Sequence, residues 1–145
     1  MNKYTELKKR HQQEVDAFPM VWAYSKEQLA EGMKKLGVES EEELCFLGAG
    51  LGGGIIKKTD KQRFLDMLRS HRKERADAIA DDKTGDGFIY DMFLAELNAH
   101  EYGYTCDYED TLDALGYSYE DLENDPRLKH GIEKAAAKIG DGGGF

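Results

Sequence analysis

A chain of 145 residues, 40% hydrophobic and 34% charged, carries enough apolar material for one globular domain and too much for a disordered segment. A net charge of −9 argues against direct nucleic-acid binding, and two cysteines are too few for a disulfide framework. The longest apolar run, five residues, is too short to span a membrane.

Residues 2–16 read as a helix, with Leu7, His11 and Val15 recurring at spacings of four and Pro19 beyond its end. The same segment is polar throughout and does not read as a secretory leader. Cys45 and Cys106 read as reduced thiols, so the expectation is a soluble, cytoplasmic protein. The run MVWAY at 20–24 has strand length, a β-branched residue and two aromatics, and predicts a buried strand. Ser25 with Gln28 is a helix start, Leu29, Met33 and Leu36 form its apolar face, and Gly37 is its stop.

Residues 44–49 and 54–58 read as two further strands. Five glycines in residues 48–54 join them as a hairpin with a mobile tip. Thr59 with Gln62 resembles a capping box and predicts a helix to about residue 80. Residues 81–87 read as a turn and 88–101 as a helix with Ile89, Met92, Phe93, Leu97 and His100 on one face. Asp107 caps a short helix ending at Gly116, Ser118 with Asp121 starts another, and Asp125-Pro126 starts the last. The expected class is α+β: a small sheet of about three strands, including the Gly-rich hairpin, packed by several helices, with an all-helical C-terminal half. One domain is expected over 1–139, with a disordered Gly-rich tail at 140–145.

Motifs with chemical meaning are few. The GxGxxG at 48–53 lacks the helix that should begin at its last glycine, so it reads as a hairpin tip and not a dinucleotide loop. DKTGDGFI from Asp82 resembles the start of an EF-hand loop, but Phe93 stands where a bidentate glutamate should close the calcium shell. A polar turn is the simpler reading. Glu96 and His100 stand one helical turn apart and Glu101 follows, but no HExxH or Cys cluster marks a metal site. No catalytic residue, metal or cofactor is assigned. A small metal-dependent enzyme or ligand-binding protein using Asp82, Asp86, Glu96 and His100 stands as the alternative function.

The charge distribution is more informative. Residues 1–56 balance at −2, residues 57–75 at +5 and residues 76–145 at −12. Six of the eight tyrosines lie in the acidic part, between Tyr90 and Tyr119. Tyr104, Asp107, Tyr108, Glu109, Asp110, Asp113, Tyr117, Glu120 and Asp121 form the candidate partner-binding surface. Tyrosine suits interfaces because it is apolar with a polar tip. Carboxylates three or four apart on a helix stand about 5–6 Å apart at Cβ, within a few ångström of the spacing of phosphates along a strand. Such a surface can act as a nucleic-acid mimic toward a basic protein groove.

Three segments carry a family likeness: FPMVWAYSKEQLAEGMKKLG, GAGLGGGIIKKTDK and YDMFLAELNAHEYGYTCDYEDTLDALGYSYED. Together they resemble a family of small, functionally uncharacterised proteins carried on conjugative elements and phages of Firmicutes. The resemblance brings no activity and no site residues. It implies a mobile-element setting, in which small acidic proteins often inhibit host defence, including restriction and CRISPR nucleases. The expectation is therefore a non-enzymatic acidic interaction protein, an anti-CRISPR or anti-restriction inhibitor. Its partner would be a basic, DNA- or RNA-binding nuclease, with no direct nucleic-acid or membrane contact. The sequence sets no oligomeric state.

Overall fold

The computed structural model describes residues 2–142. The chain forms two compact units, one of Met1–Arg10 with Glu74–Phe145 and the other of His11–Lys73. Two long helices, α1 (Lys3–Asp16) and α3 (Lys61–Asp81), contribute residues to both.

In the unit His11–Lys73, α2 (Lys26–Leu36) begins and ends as its sequence dictates. The Ser25 side chain accepts from the Gln28 N–H, and Gly37, at φ +75, returns its own N–H to the carbonyls of Lys34 and Met33. Two short strands follow, β1 (Leu44–Phe46) and β2 (Ile55–Lys57), antiparallel with Cys45 opposite Ile56. Leu36, Leu44 and Ile55 are buried together, with Val21, Ala23, Leu29 and Met33 around them. At Gly32 a Cβ would lie 2.7 Å from Val21 Cγ2, so the missing side chain is what lets α2 approach the 20–24 segment.

The fold is mostly helical with a two-stranded sheet, a correction to the expectation of about three strands. The segment 20–24 makes a single bridge, Val21 with Ile55, and no ladder. Its aromatics do not enter the core: Trp22 is 48% and Tyr24 86% exposed. Thr59 does not form the expected capping box either. A 3-10 turn over Lys58–Asp60 precedes α3, and the Gln62 side chain donates to Asp66 instead.

The other unit is built around α4 (Phe88–Ala99), whose Ile89, Met92, Phe93 and Leu97 are fully buried. The last helix, α8 (Pro126–Gly142), packs along it through Leu128, Ile132, Ala135, Ala136 and Ile139, a stripe of helical period. Gly131 sits at the close approach, where a Cβ would lie 2.6 Å from Ile89 Cγ2. Between these helices run three short ones: α5 (Tyr102–Thr105), α6 (Glu109–Leu115) and α7 (Tyr119–Asn124). Leu112, Leu115 and Leu122 from α6 and α7 complete the core. The Ser118–Asp121 capping box forms as read, and Asp107 accepts from the Glu109 N–H at 2.8 Å. The single turn α5 has no counterpart in the sequence reading; Glu101 and Cys106 bracket it in left-handed conformation, at φ +58 and +53. Of the tail expected to be disordered, residues 140–142 belong to α8, and residues 143–145 lie outside the described residues. Among the described residues no helix is long and apolar enough to cross a membrane.

Candidate functional site

The acidic surface is built by α6 and α7 and the turns before them. Asp107, Glu109, Asp110, Asp113, Glu120 and Asp121 are all exposed. Helix α6 buries Thr111, Leu112 and Leu115, which turns Glu109, Asp110 and Asp113 outward. Among the described residues Glu109, Asp110, Asp113 and Glu120 have no ion-pair partner. Asp107 and Asp121 have local duties. Asp107 accepts from the Glu109 N–H and, at 3.3 Å, from the Tyr119 hydroxyl; Asp121 accepts from the Ser118 N–H at 2.8 Å.

The tyrosines divide. Tyr104 is 89% exposed and Tyr119 54%. Tyr108 and Tyr117 instead pack against the core. Tyr108 stacks on Tyr102 with ring centroids 5.5 Å apart, and burial, followed by that neighbour and Glu133, pushes its hydroxyl up to about 12. Tyr117 lies 6.2 Å from Phe93, and its hydroxyl is also raised, chiefly by burial. The exposed part of this surface is thus the carboxylates with Tyr104 and Tyr119.

The loop between α3 and α4 holds the EF-hand-like segment, and its own backbone uses the first carboxylate. Asp82 Oδ1 accepts from the N–H groups of Thr84 and Gly85, and Oδ2 from those of Gly87 and Ile89, at 2.9–3.2 Å. Phe93, at the calcium-closing position, is fully buried in the core. Arg127 ties the loop to α8 by donating to the carbonyls of Ile79 and Asp82 and pairing with Asp125. Asp86, at the exposed rim, bonds His130 at 2.7 Å and Lys134 at 3.1 Å.

Partial burial pushes the Asp82 carboxyl up, but the four backbone donors outweigh it and hold it below the usual carboxylate range. A carboxyl depressed on folding contributes stability that is fully present above its unfolded value of about 3.9 and declines as pH falls through the lower folded value. Thermal melts of wild type and Asp82→Ala should therefore differ by a near-constant gap from pH about 7 down to about 5, and the gap should narrow on further acidification. A gap that widened on acidification would contradict this role for Asp82.

Glu96 is 6% exposed and is held by three side chains. The Tyr4 hydroxyl donates to Oε1 at 2.7 Å, Lys8 Nζ lies 3.0 Å from the same oxygen, and His100 Nε2 is 3.5 Å from Oε2. Burial raises the Glu96 carboxyl, but these donors prevail and keep it low; the Tyr4 hydroxyl is pushed well above its ordinary value, first by its own burial. The grouping ties α1 to α4. The four residues of the metal-enzyme alternative do not converge: Asp82 and Asp86 precede α4, Glu96 and His100 lie at its end, and about 10 Å of helix separates the pairs.

Two features of the other unit escaped the sequence reading. Trp22, Tyr24, Phe46 and Leu51 are exposed apolar side chains. The glycine tip is ordered by bonds: a 3-10 turn covers Ala49–Leu51, and the Trp22 indole donates to the Gly52 carbonyl at 3.1 Å. No helix starts at its last glycine, consistent with a hairpin tip. The second feature is a meeting of His11, Glu14 and His71 from two helices. His11 and His71 are 60 positions apart in sequence, and each reads alone as a position on the inner face of its helix.

Fold and surface define a small, mostly helical protein with a two-stranded sheet and an acidic helical surface. Residues 3–138 match a family of unknown function, DUF7659, and the chain belongs to that family. No curated protein and no solved structure matches it.

Proposed function

We propose that this protein is a non-enzymatic interaction protein that engages a basic partner through the face formed by α6 and α7. The observation that carries the reading is the set Glu109, Asp110, Asp113 and Glu120, four exposed carboxylates without an ion pair among the described residues, on a stretch of chain that also exposes Tyr104 and Tyr119. Unneutralised charge of one sign steers association with an opposite surface, and exposed tyrosine supplies contact area at low entropic cost.

The partner class is a DNA- or RNA-binding nuclease of host defence, met in the cytoplasm, and the protein is the product of a mobile element. In support stand the −12 balance of residues 76–145 and the phosphate-like spacing of carboxylates along α6. The mobile-element setting implied by the family likeness points the same way. The groove that accepts this face is the one made for nucleic acid, so the protein competes with the substrate and needs no chemistry of its own. The test is a competition assay with a purified host restriction or CRISPR nuclease. Added protein should release labelled DNA from the nuclease, and the release should weaken with salt. Nucleases that retain their DNA at saturating protein would count against the reading.

A further inference from the structure

His11 and Glu14 stand one turn apart on α1 and project from the same side of it. Across from them, on α3, His71 lays its imidazole over that of His11, with centroids 3.9 Å apart and planes 11° from parallel. His71 Nε2 is 2.9 Å from Glu14 Oε2. One nitrogen from each histidine and one oxygen of Glu14 all lie within 4.8 Å of one another. His71 is largely covered, with 12% of its side chain exposed, whereas Glu14 is 47% exposed.

We propose that His11, Glu14 and His71 are the protein ligands of a divalent transition-metal site of the zinc class, which fastens α1 to α3. The donor set selects the ion. Two imidazole nitrogens and one carboxylate oxygen suit zinc, whereas calcium and magnesium take shells of oxygen. Ligand atoms about 2.0–2.2 Å from a zinc ion lie no more than roughly 4 Å apart, so closure of about 1 Å completes the shell. The imidazole lone pairs lie in their ring planes, so on binding the two stacked rings turn out of their stack to converge on the ion, and the exposed Glu14 side chain follows. Three protein ligands leave a fourth position for water.

The site also stands where apolar packing is thin. Tyr4 is the buried residue of α1, seven positions before His11, and Phe64 is that of α3, seven positions before His71. At the level of His11 and His71 the two helices meet through imidazoles and a carboxylate, and a bound ion would add the cross-link that apolar burial does not. Any ion that binds the folded chain alone stabilises it by mass action.

The experiment uses the full chain, stripped with a chelator and then titrated with zinc chloride at pH about 7.5, where imidazoles are largely neutral. Calorimetry should show one zinc per chain, and melts should show a higher transition temperature with zinc. Cobalt substitution should give the intense visible bands of a tetrahedral ion. Affinity should fall about tenfold or more in His11→Gln, His71→Gln and Glu14→Gln, since each removes one of three protein ligands. His100→Gln, which alters the other histidine–glutamate pair, should leave the titration unchanged. Metal-free melts of the variants report on folding separately from binding. Absence of zinc uptake would overturn the proposal. So would uptake undiminished by His71→Gln, loss of uptake on His100→Gln, or calcium binding as tight as zinc.

Discussion

Leucine in place of Glu96 should lower the unfolding free energy by about 2–4 kcal/mol, measured by urea denaturation. The side chains are similar in volume, so a cavity is not the main cost. The cost lies with Tyr4, which is 2% exposed and donates its hydroxyl to Glu96 at 2.7 Å. Without the carboxylate that hydroxyl is buried with no acceptor. Lys8, whose side chain is 60% exposed, can return to water and adds little. Tyr4→Phe alone should cost about 1.5–3 kcal/mol, because a buried carboxylate then loses a donor. The double variant should recover much of the loss, since an apolar pair leaves no buried hydroxyl or carboxylate unsatisfied and His100, 32% exposed, can reach water. Simple addition of the two single losses in the double variant would mean that the two side chains are not coupled.

Alanine at Gly85 should be worse than its small size suggests, costing about 3 kcal/mol or more. Gly85 sits at φ +89, and a Cβ there would lie 2.3 Å from the Arg127 carbonyl oxygen. That oxygen belongs to the backbone of α8, so no rotamer change relieves the contact. Gly116 separates the two causes. It has φ +78 and open space around its Cβ position, so alanine there should cost only the left-handed strain of about 1–2 kcal/mol. Equal losses at the two glycines would show that the loop between α3 and α4 yields easily to α8.

These positions mark what could be read along the chain and what could not. Helix ends written in local chemistry were legible: Ser25 and Gly37 around α2, Ser118 with Asp121 before α7, and Asp125-Pro126 before α8. The segment 20–24 was not, because an unbroken apolar run has no period to tell a core strand from a partly exposed one. Val21 and Ala23 join the small core while Trp22 and Tyr24 stand outward. The sequence places Asp82 in a polar turn, but its hold on four backbone N–H groups comes from the loop's path. The acidic face was legible in composition, yet Tyr108 and Tyr117 belong to the packed layer beneath it. The pairs Tyr4 with Glu96 and His11 with His71 are products of tertiary packing alone. Their members lie 92 and 60 positions apart, and no spacing rule links them.

The acidic-face reading is tested most directly by dose–response inhibition of a host-defence nuclease by the wild type and by a four-site reversal, Glu109→Lys, Asp110→Lys, Asp113→Lys and Glu120→Lys. Asp107 and Asp121 are left intact because they hold turn and cap bonds. Glu109 and Asp110 lie in the first turn of α6, so their reversal costs about 0.3–1 kcal/mol each, small enough for the fold to persist and to be verified by melting. The account predicts inhibition by the wild type that weakens about tenfold or more between roughly 50 and 200 mM salt, and none by the reversal at either salt. Equal potency of the two proteins against the same nuclease would contradict it.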